Sequence, residues 1–197
     1  MAETRDHIID AAAAAMHRYG FRGMRPDHVI GSLGLTKGSL YYHFPRGKKS
    51  LGYAVLDERI SPAYLQQWEK PAGDPRHPVD FLQARLQEHL DRADADGIAL
   101  GCPLNNLIQE MAPLDEGFAS RLRIVAGGMI ERVAGLLEEG QRQRQIRTEV
   151  EPQRDATGLI AGLEGAYSIA KACHSLERFR MAMRGLQQQT EHWRMDS

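Results

Sequence analysis

Cysteine and long apolar runs are scarce in this chain. Its two cysteines, Cys102 and Cys173, form neither a CxxC pair nor a cluster with histidine, which argues against a structural disulfide and a zinc site. No stretch approaches the roughly 18 consecutive apolar residues of a membrane span, and the N-terminus lacks the basic-then-apolar pattern of a signal peptide. We therefore expect a cytoplasmic protein with no membrane partner, no bound metal and no cofactor.

Enzyme motifs are absent as well. The chain contains no GxSxG, P-loop, GxGxxG or HExxH motif and no paired carboxylate motif, so we do not expect an enzyme. A nucleophile pair of Cys102 with a distant histidine has no supporting sequence context. A redox role of Cys102 stays open, because Pro103 places this thiol beside a predicted helix start, where a thiol pKa is lowered.

The composition is otherwise that of a globular protein. The chain has 197 residues, 42% of them hydrophobic, enough to bury a core without metals or disulfides. Its net charge is −1, but residues 18–50 hold seven basic residues and one acidic residue, a local charge of about +6. A basic N-terminal segment on a mildly acidic remainder is expected of a protein that meets phosphate at one end.

Helical periodicity predicts the secondary structure. Residues 3–19 form a predicted helix ended by Gly20, and residues 48–69 a longer one that Pro62 kinks or divides. The other predicted helices span residues 26–33, 37–44, 79–95, 104–111, 115–143, 153–174 and 176–192. Since no segment shows sustained apolar/polar alternation, the predicted fold is all-α, with about nine helices.

Residues 26–44 carry the pattern of a helix-turn-helix. Gly34 supplies the turn and Thr36 caps the second helix, so the two short helices can cross steeply and the second can enter a major groove. One face is apolar and should pack on the first helix: Val29, Ile30, Leu33, Leu35, Leu40 and Phe44. The other face can hydrogen-bond phosphates and base edges: Thr36, Lys37, Gly38, Ser39, Tyr42 and His43. A small helical bundle with a merely hydrated polar face is the alternative.

The string LGLTKGSLYYHF, followed by Lys48, resembles the signature of TetR-family repressors. The resemblance implies an N-terminal three-helix DNA-binding domain, residues 1–50, and a C-terminal helical domain for ligand binding and dimerisation, residues 51–197. It implies that one set of side chains faces the groove of double-stranded operator DNA: Thr36, Lys37, Gly38 and Ser39. A second set is implied to hold phosphates or to support side chains that do: Tyr41, Tyr42, His43 and Lys48.

Two features depart from the commonest members of that family. Arg25 stands where Ser or Thr usually caps the second helix; the missing cap costs about 1 kcal/mol, and Arg25 can instead contact a phosphate. The loop Pro45-Arg46-Gly47 is one residue longer, and with Gly101-Cys102-Pro103 it resembles the LmrA-like branch, some of whose members respond to flavonoids or related aromatic compounds. This second resemblance implies an aromatic or hydrophobic effector.

The helix predicted at residues 153–174 suggests a dimer interface. Gly158, Gly162, Gly165 and Ile169 share one side of it. Each glycine lowers helix stability by about 1 kcal/mol relative to alanine, and close approach of a helix from a second copy would compensate. Close packing within one subunit is the alternative. A homodimer would also read two half-sites about 34 Å apart, or a multiple of that distance.

Scattered polar or soft side chains interrupt the apolar stripes of the predicted C-terminal domain, as in pockets for small aromatic or amphipathic ligands. The candidate ligand contacts are Trp68, His89, Asn105, Asn106, Met129, Glu164, Tyr167 and Lys171. Each one alone is more often a surface residue or a satisfied core residue.

Together these features predict a ligand-responsive transcriptional regulator, most readily a repressor. It would bind palindromic operator DNA as a homodimer and release it when a small molecule binds; activation of transcription stays open. The alternative is an all-α scavenger of hydrophobic compounds that does not touch DNA. DNA binders lose affinity steeply with salt because counterions are released, and a scavenger would not bind DNA.

Overall fold

The fold is helical throughout the part of the chain that the structure describes. A computed structural model describes residues 2–195, and in that range it contains eleven α-helices, one π-turn and an isolated bridge between Ile146 and Arg194. None of these helices is long and apolar enough to cross a membrane. The elements are α1 (Ala2–Gly23), α2 (Pro26–Ser32), α3 (Lys37–His43), α4 (Lys48–Val55), the π-turn (Leu56–Ile60), α5 (Ser61–Gln66), α6 (Pro78–Arg92), α7 (Ala95–Leu100), α8 (Pro103–Met111), α9 (Glu116–Arg142), α10 (Pro152–Ala172) and α11 (Leu176–Glu191). The all-α prediction is confirmed.

Side-chain caps explain where several helices begin. Thr36 Oγ1 accepts the amide N–H of Ser39 at 3.3 Å and starts α3, as predicted. Asp115 Oδ1 accepts the amide of Phe118 at 3.0 Å at the start of α9. Asp94 accepts the amide of Gly97 at 2.6 Å and starts α7. The sequence pattern missed α7 because its glycine weakens helix propensity, while the cap and tertiary packing compensate.

Pro62 explains why the long helix widens into a π-turn instead of breaking. Proline has no N–H to donate, and its ring clashes with the carbonyl four residues earlier, that of Glu58. Widening of the preceding turn to π geometry relieves that clash. The Leu56 carbonyl accepts both the amide N–H and, at 2.7 Å, the hydroxyl of Ser61. The Glu58 carbonyl, which gets no N–H from Pro62, accepts from Arg59 Nη1 at 3.3 Å. The helix therefore continues through Pro62.

The chain packs into two compact units. The first comprises residues up to 63 together with 103–124, and the second comprises 64–102 together with residues from 125 onward. Each unit therefore combines two stretches that are distant in sequence. The boundary predicted at residue 50 follows the DNA-binding motif and not the packing, and it stays a prediction about the functional domains.

An aromatic cluster forms part of the core of the first unit. The Phe118 ring packs edge to face on Phe21 and Tyr53, at centroid distances of 4.7 Å and 4.8 Å. Gly52 in α4 leaves room for these rings: a Cβ there would clash with Phe21 and lie 2.9 Å from Phe118 Cζ. The Tyr53 hydroxyl donates to Asp115 Oδ1 at 2.7 Å. Segment 103–124 is therefore built into the core that carries the helix-turn-helix.

The apolar face of the helix-turn-helix is smaller than predicted. Each of its buried members is at most 3% exposed: Val29, Ile30, Leu40 and Phe44. Leu33 is 36% exposed and Leu35 is half-buried, so their assignment to this core was wrong. Both lie at the end of α2 and in the turn around Gly34, where the chain leaves the apolar face.

The core of the second unit is formed largely by α6, the part of α9 after residue 124, α10 and α11. Phe81, Leu86, Leu163 and Phe179 are each at most 3% exposed. Gln83 of α6 donates to the Gln187 carbonyl at 2.6 Å and to the Thr190 hydroxyl at 2.9 Å. The Thr190 hydroxyl itself donates to the Gln187 carbonyl at 3.0 Å, so Gln83 joins this pair and ties α11 to α6.

Replacing Gly52 with alanine should destabilise the first unit. The new methyl group meets the Phe21 and Phe118 rings, and overpacking of this kind costs about 1–3 kcal/mol of unfolding free energy. Urea denaturation followed by circular dichroism measures this loss. Gly127→Ala is the matched control, because a Cβ there meets nothing within 4 Å. Helix propensity alone predicts that the control gains up to about 1 kcal/mol; equal stability of the two variants would contradict the packing assigned to Gly52.

Candidate functional site

The helix α3 has one buried side and one accessible side. Leu40 and Phe44 are each 2% exposed and anchor it to the first unit. The residues predicted to face DNA are mostly accessible: Thr36, Lys37, Gly38, Tyr41 and Tyr42 are exposed, and Ser39 and His43 are half-buried. The Thr36 and Ser39 hydroxyls lie 3.3 Å apart, so both contribute to one polar surface at the start of the helix. This surface can offer hydroxyls, an ammonium group and rings to a polar partner.

Two cations lie beside this surface. Lys37 pairs with Asp27 at 3.1 Å, but the two side chains are 69% and 62% exposed. An ion pair this exposed contributes little to the folding free energy. A phosphate can therefore compete with the Asp27 carboxylate for the Lys37 ammonium group. Arg25 precedes α2 and makes no side-chain cap, as its sequence position predicted. It lines an open groove of about 520 Å³ together with Tyr19 and His28.

Lys48 is held by the end of α1. Its ammonium group donates to the Arg22 carbonyl at 2.8 Å and lies 5.1 Å from the centre of the Phe21 ring. Partial burial lowers the pKa of Lys48, and the nearby charge of Glu110 opposes that shift. In this arrangement the side chain contacts protein backbone, and its predicted phosphate contact stays a prediction.

A polar network of one buried and four half-buried residues lies in the second unit. The Tyr64 hydroxyl is 3.1 Å from Cys102 Sγ, and Cys102 also shares a hydrogen bond with the Glu164 carboxyl. His89 Nδ1 lies 3.0 Å from the Tyr167 hydroxyl, and Tyr167 interacts electrostatically with Cys102 and Glu164. We call these five residues the polar network. They come from α5, α6, the link before α8, and α10, so only folding brings them together.

Burial favours the uncharged forms of this network. It lowers the pKa of His89 to about 4, with the charge of Arg92 adding to the effect. It raises the pKa of Tyr167 to about 12. Burial also raises the pKa of Glu164, while the hydrogen bond with Cys102 acts in the opposite direction. At neutral pH the imidazole and the phenol are therefore neutral hydrogen-bonding groups.

Of the eight predicted ligand residues, His89, Glu164 and Tyr167 are brought together in the network. Trp68 and Met129 are core residues, 1% and 2% exposed, and the buried Trp68 indole N–H meets no acceptor among the described residues. Lys171 is half-buried on α10, and Asn105 and Asn106 belong to the first unit. As ligand contacts all eight stay predictions.

Sequence reasoning missed Tyr64, and it considered Cys102 as a buried thiol, a reactive thiol and part of a family motif but not as a member of a polar network. One signal was available for Tyr64: it precedes Trp68 by four residues, so the two share a helical face. No local pattern connects Cys102 with Glu164, because they are distant in sequence.

The glycines of α10 fall into two groups. A Cβ at Gly162 would lie 2.6 Å from Leu186 Cδ2, so packing against α11 of the same chain explains this glycine. A Cβ at Gly158 would meet only Gln189 Nε2, at 4.0 Å, and one at Gly165 would meet nothing within 4 Å. Ile169 is 57% exposed on α10, and Met181 is 52% exposed on α11. These two helices thus leave large apolar side chains uncovered.

Two family models match this chain, one in its N-terminal part and one in its C-terminal part. Residues 8–54 match the family described as bacterial regulatory proteins, tetR family. Residues 78–186 match the family described as Tetracyclin repressor-like, C-terminal domain. The helix-turn-helix lies inside the first match, and most of the polar network inside the second.

Individual proteins extend the comparison over most of the chain. The transcriptional regulator LmrA of Bacillus subtilis is 38% identical over 164 residues, which cover 83% of this chain and 84% of that protein. The transcriptional repressor NemR of Escherichia coli is 26% identical over 181 residues, covering 92% and 90%. The crystal structure of the reduced form of E. coli NemR superimposes with a TM-score of 0.82 at 28% identity, covering 94% of this chain and 96% of that one. A TetR transcriptional regulator from Chloroflexus aurantiacus gives the same TM-score at 25% identity, covering 99% and 98%.

Protonation of His89 should make folding stability depend on pH. Its folded pKa of about 4 lies below the unfolded value near 6.5, so the unfolded chain binds the proton first as the pH falls. Between pH 6.5 and 4 this group alone should remove up to about 3 kcal/mol of unfolding free energy. Urea titrations at several pH values should show a smaller loss in His89→Gln than in the wild type. His28→Gln, which removes an exposed histidine, is the control, and a His89→Gln profile that matches it would refute the assignment.

Proposed function

This chain belongs to the TetR family of bacterial transcriptional regulators, and from that membership we propose that it is a cytoplasmic repressor that binds a palindromic operator as a homodimer. A small, uncharged aromatic or hydrophobic molecule releases it from DNA. The names of its relatives support the regulatory role: LmrA is a transcriptional regulator and NemR a transcriptional repressor. The remaining parts of the proposal rest on the geometry of this chain.

The accessible polar surface of α3 carries the DNA-binding proposal. The helix is capped by Thr36, anchored by Leu40 and Phe44, and leaves hydroxyl, ammonium and phenol groups accessible. Such groups hydrogen-bond phosphates and base edges, and a short helix of this kind fits the major groove. In this proposal Thr36, Lys37, Gly38 and Ser39 face the groove, while Arg25, Tyr41, Tyr42, His43 and Lys48 contact or support phosphates.

The polar network supports an uncharged effector. Neutral imidazole and phenol groups can exchange hydrogen bonds with hydroxyl or carbonyl groups of a ligand, and no net charge is then buried. A charged ligand would leave its charge without compensation from these two groups. We therefore place the effector at the polar network, with an aromatic or hydrophobic body in the surrounding apolar core.

Release of DNA requires that the effector distinguish two states of the dimer. A ligand with equal affinity for the DNA-binding state and the released state would shift nothing. In the proposal the effector binds the released state more tightly, and that state holds the two α3 helices at a spacing that no longer fits two half-sites.

Arg25→Ala should weaken operator binding and flatten its salt dependence, because the exposed Arg25 is proposed to contact a phosphate. Each lost phosphate contact lowers the slope of log K against log salt concentration by about 0.9. Fluorescence anisotropy with a duplex from the DNA flanking the protein's own gene, at several salt concentrations, measures both quantities. Arg144→Asn removes the same charge from an exposed site in the second unit and should keep the wild-type slope. If the wild type does not bind this duplex even in dilute buffer, the protein does not regulate its own locus. That result would support the alternative role of a scavenger of hydrophobic compounds.

Ile169→Glu should convert the dimer into monomers. This isoleucine is 57% exposed on α10, beside the open site at Gly165, and a two-fold contact would bury it against its own copy. A buried, unpaired carboxylate at such an interface is strongly unfavourable. Ile124→Glu, at an isoleucine 68% exposed on α9, is the matched control and should stay dimeric in sedimentation experiments. Dissociation of the control alone would place the interface on α9.

A further inference from the structure

The regular backbone of α1 is interrupted near its C-terminal end. Gly20 adopts φ 74° and ψ 167°, which stops the regular helix, and a new turn closes with the Met24 amide on the Gly20 carbonyl at 3.0 Å. The amides of Phe21 and Arg22 thereby become the first amides of a turn. Such amides have no acceptor within their own helix and need one from elsewhere.

Glu110 of α8 supplies both acceptors. Its Oε2 accepts the Phe21 amide at 2.7 Å, and its Oε1 accepts the Arg22 amide at 2.8 Å. A carboxylate is favoured at this position because the amides at a helix start carry partial positive charge. A Cβ on residue 20 would lie 2.8 Å from Oε2, so the close approach also requires glycine there. We call this arrangement of Gly20, Phe21, Arg22 and Glu110 the Glu110 clasp.

The clasp also connects to α4. Lys48, at the start of α4, donates to the carbonyl of Arg22, the same residue whose amide Glu110 holds. The charge of Glu110 acts on the Lys48 ammonium as well. One peptide segment is thus held by a carboxylate from α8 and an ammonium from α4. Three residues further along the chain, Arg25 leads into α2 without any side-chain cap of its own.

We propose that Glu110 is a positioning residue for DNA binding: by fixing the amides of Phe21 and Arg22 it sets the start of α2 and the place of Lys48, without touching DNA itself. The proposal rests on the proposed operator binding. It assigns to α8, a helix outside the helix-turn-helix, an indirect role in operator affinity.

Glu110→Ala and Glu110→Gln separate the hydrogen bonds from the charge. Both variants remove the same negative charge, but glutamine keeps one of the two acceptors: its amide oxygen replaces one carboxylate oxygen, while its NH2 group cannot accept the second N–H. We expect the operator Kd of Glu110→Ala to be about fivefold above that of Glu110→Gln, since one neutral hydrogen bond changes an equilibrium by roughly that factor. The salt slope should stay at the wild-type value in both, because no phosphate contact is lost.

Amide hydrogen exchange of Phe21 and Arg22 reports on the clasp without DNA. Exchange of both amides should be fast in Glu110→Ala and slow in the wild type, and Glu110→Gln should keep one of the two protected. Ile9→Val is the control for stability alone, because Ile9 is fully buried in the same unit, eleven residues before Gly20 in α1, and loss of one buried methylene destabilises the fold modestly. At a temperature where all variants are folded, it should bind operator like the wild type.

The outcomes separate the two proposals. The probe is the duplex from the DNA flanking the protein's own gene that the wild type shifts. If Glu110→Ala loses amide protection but binds this duplex as tightly as Glu110→Gln, the positioning role is overturned and the proposed function stands. If Ile9→Val loses as much affinity as Glu110→Ala, the effect is one of stability and the positioning role is also overturned. If the wild type shifts no such duplex, the proposed function fails and this inference fails with it.

Discussion

Two close contacts between segment 103–124 and the N-terminal helices hold the DNA-binding motif in place. One is directional: the Glu110 carboxylate accepts two backbone amides at the end of α1. The other is a matter of shape: the Phe118 ring fits against Phe21 where Gly52 has no side chain. Because both contacts require a glycine at a defined position, Gly20 or Gly52, small changes far from α3 can alter how α3 is presented.

In the second unit, burial determines the protonation state of polar side chains. Its polar network lies within an apolar core, and desolvation pushes the pKa values of His89 and Tyr167 away from neutrality in opposite directions. Both groups then remain hydrogen-bonding partners over the whole physiological range of pH. If the effector binds here, as proposed, its shape and hydrogen-bonding pattern determine binding, and modest changes of acidity do not alter the site.

The sequence predicted those features that depend on neighbouring residues. Thr36 caps α3 and Arg25 leaves α2 uncapped, since both properties follow from side-chain chemistry within one turn. Burial of Leu33 was predicted wrongly, because helical periodicity does not show where the chain leaves the core. The Glu110 clasp and the Tyr64–Cys102 pair were missed, because each joins residues that only the tertiary fold brings together.

The discontinuous make-up of the first unit limits how this regulator can be recombined. A fragment cut after residue 63 would lack Glu110, Asp115 and Phe118, and it would carry two orphaned amides and an unfilled space beside Gly52. Chimeras that borrow its operator specificity should therefore transplant surface side chains of α3 onto a related scaffold. Alternatively, they should exchange segments 1–63 and 103–124 as a matched pair.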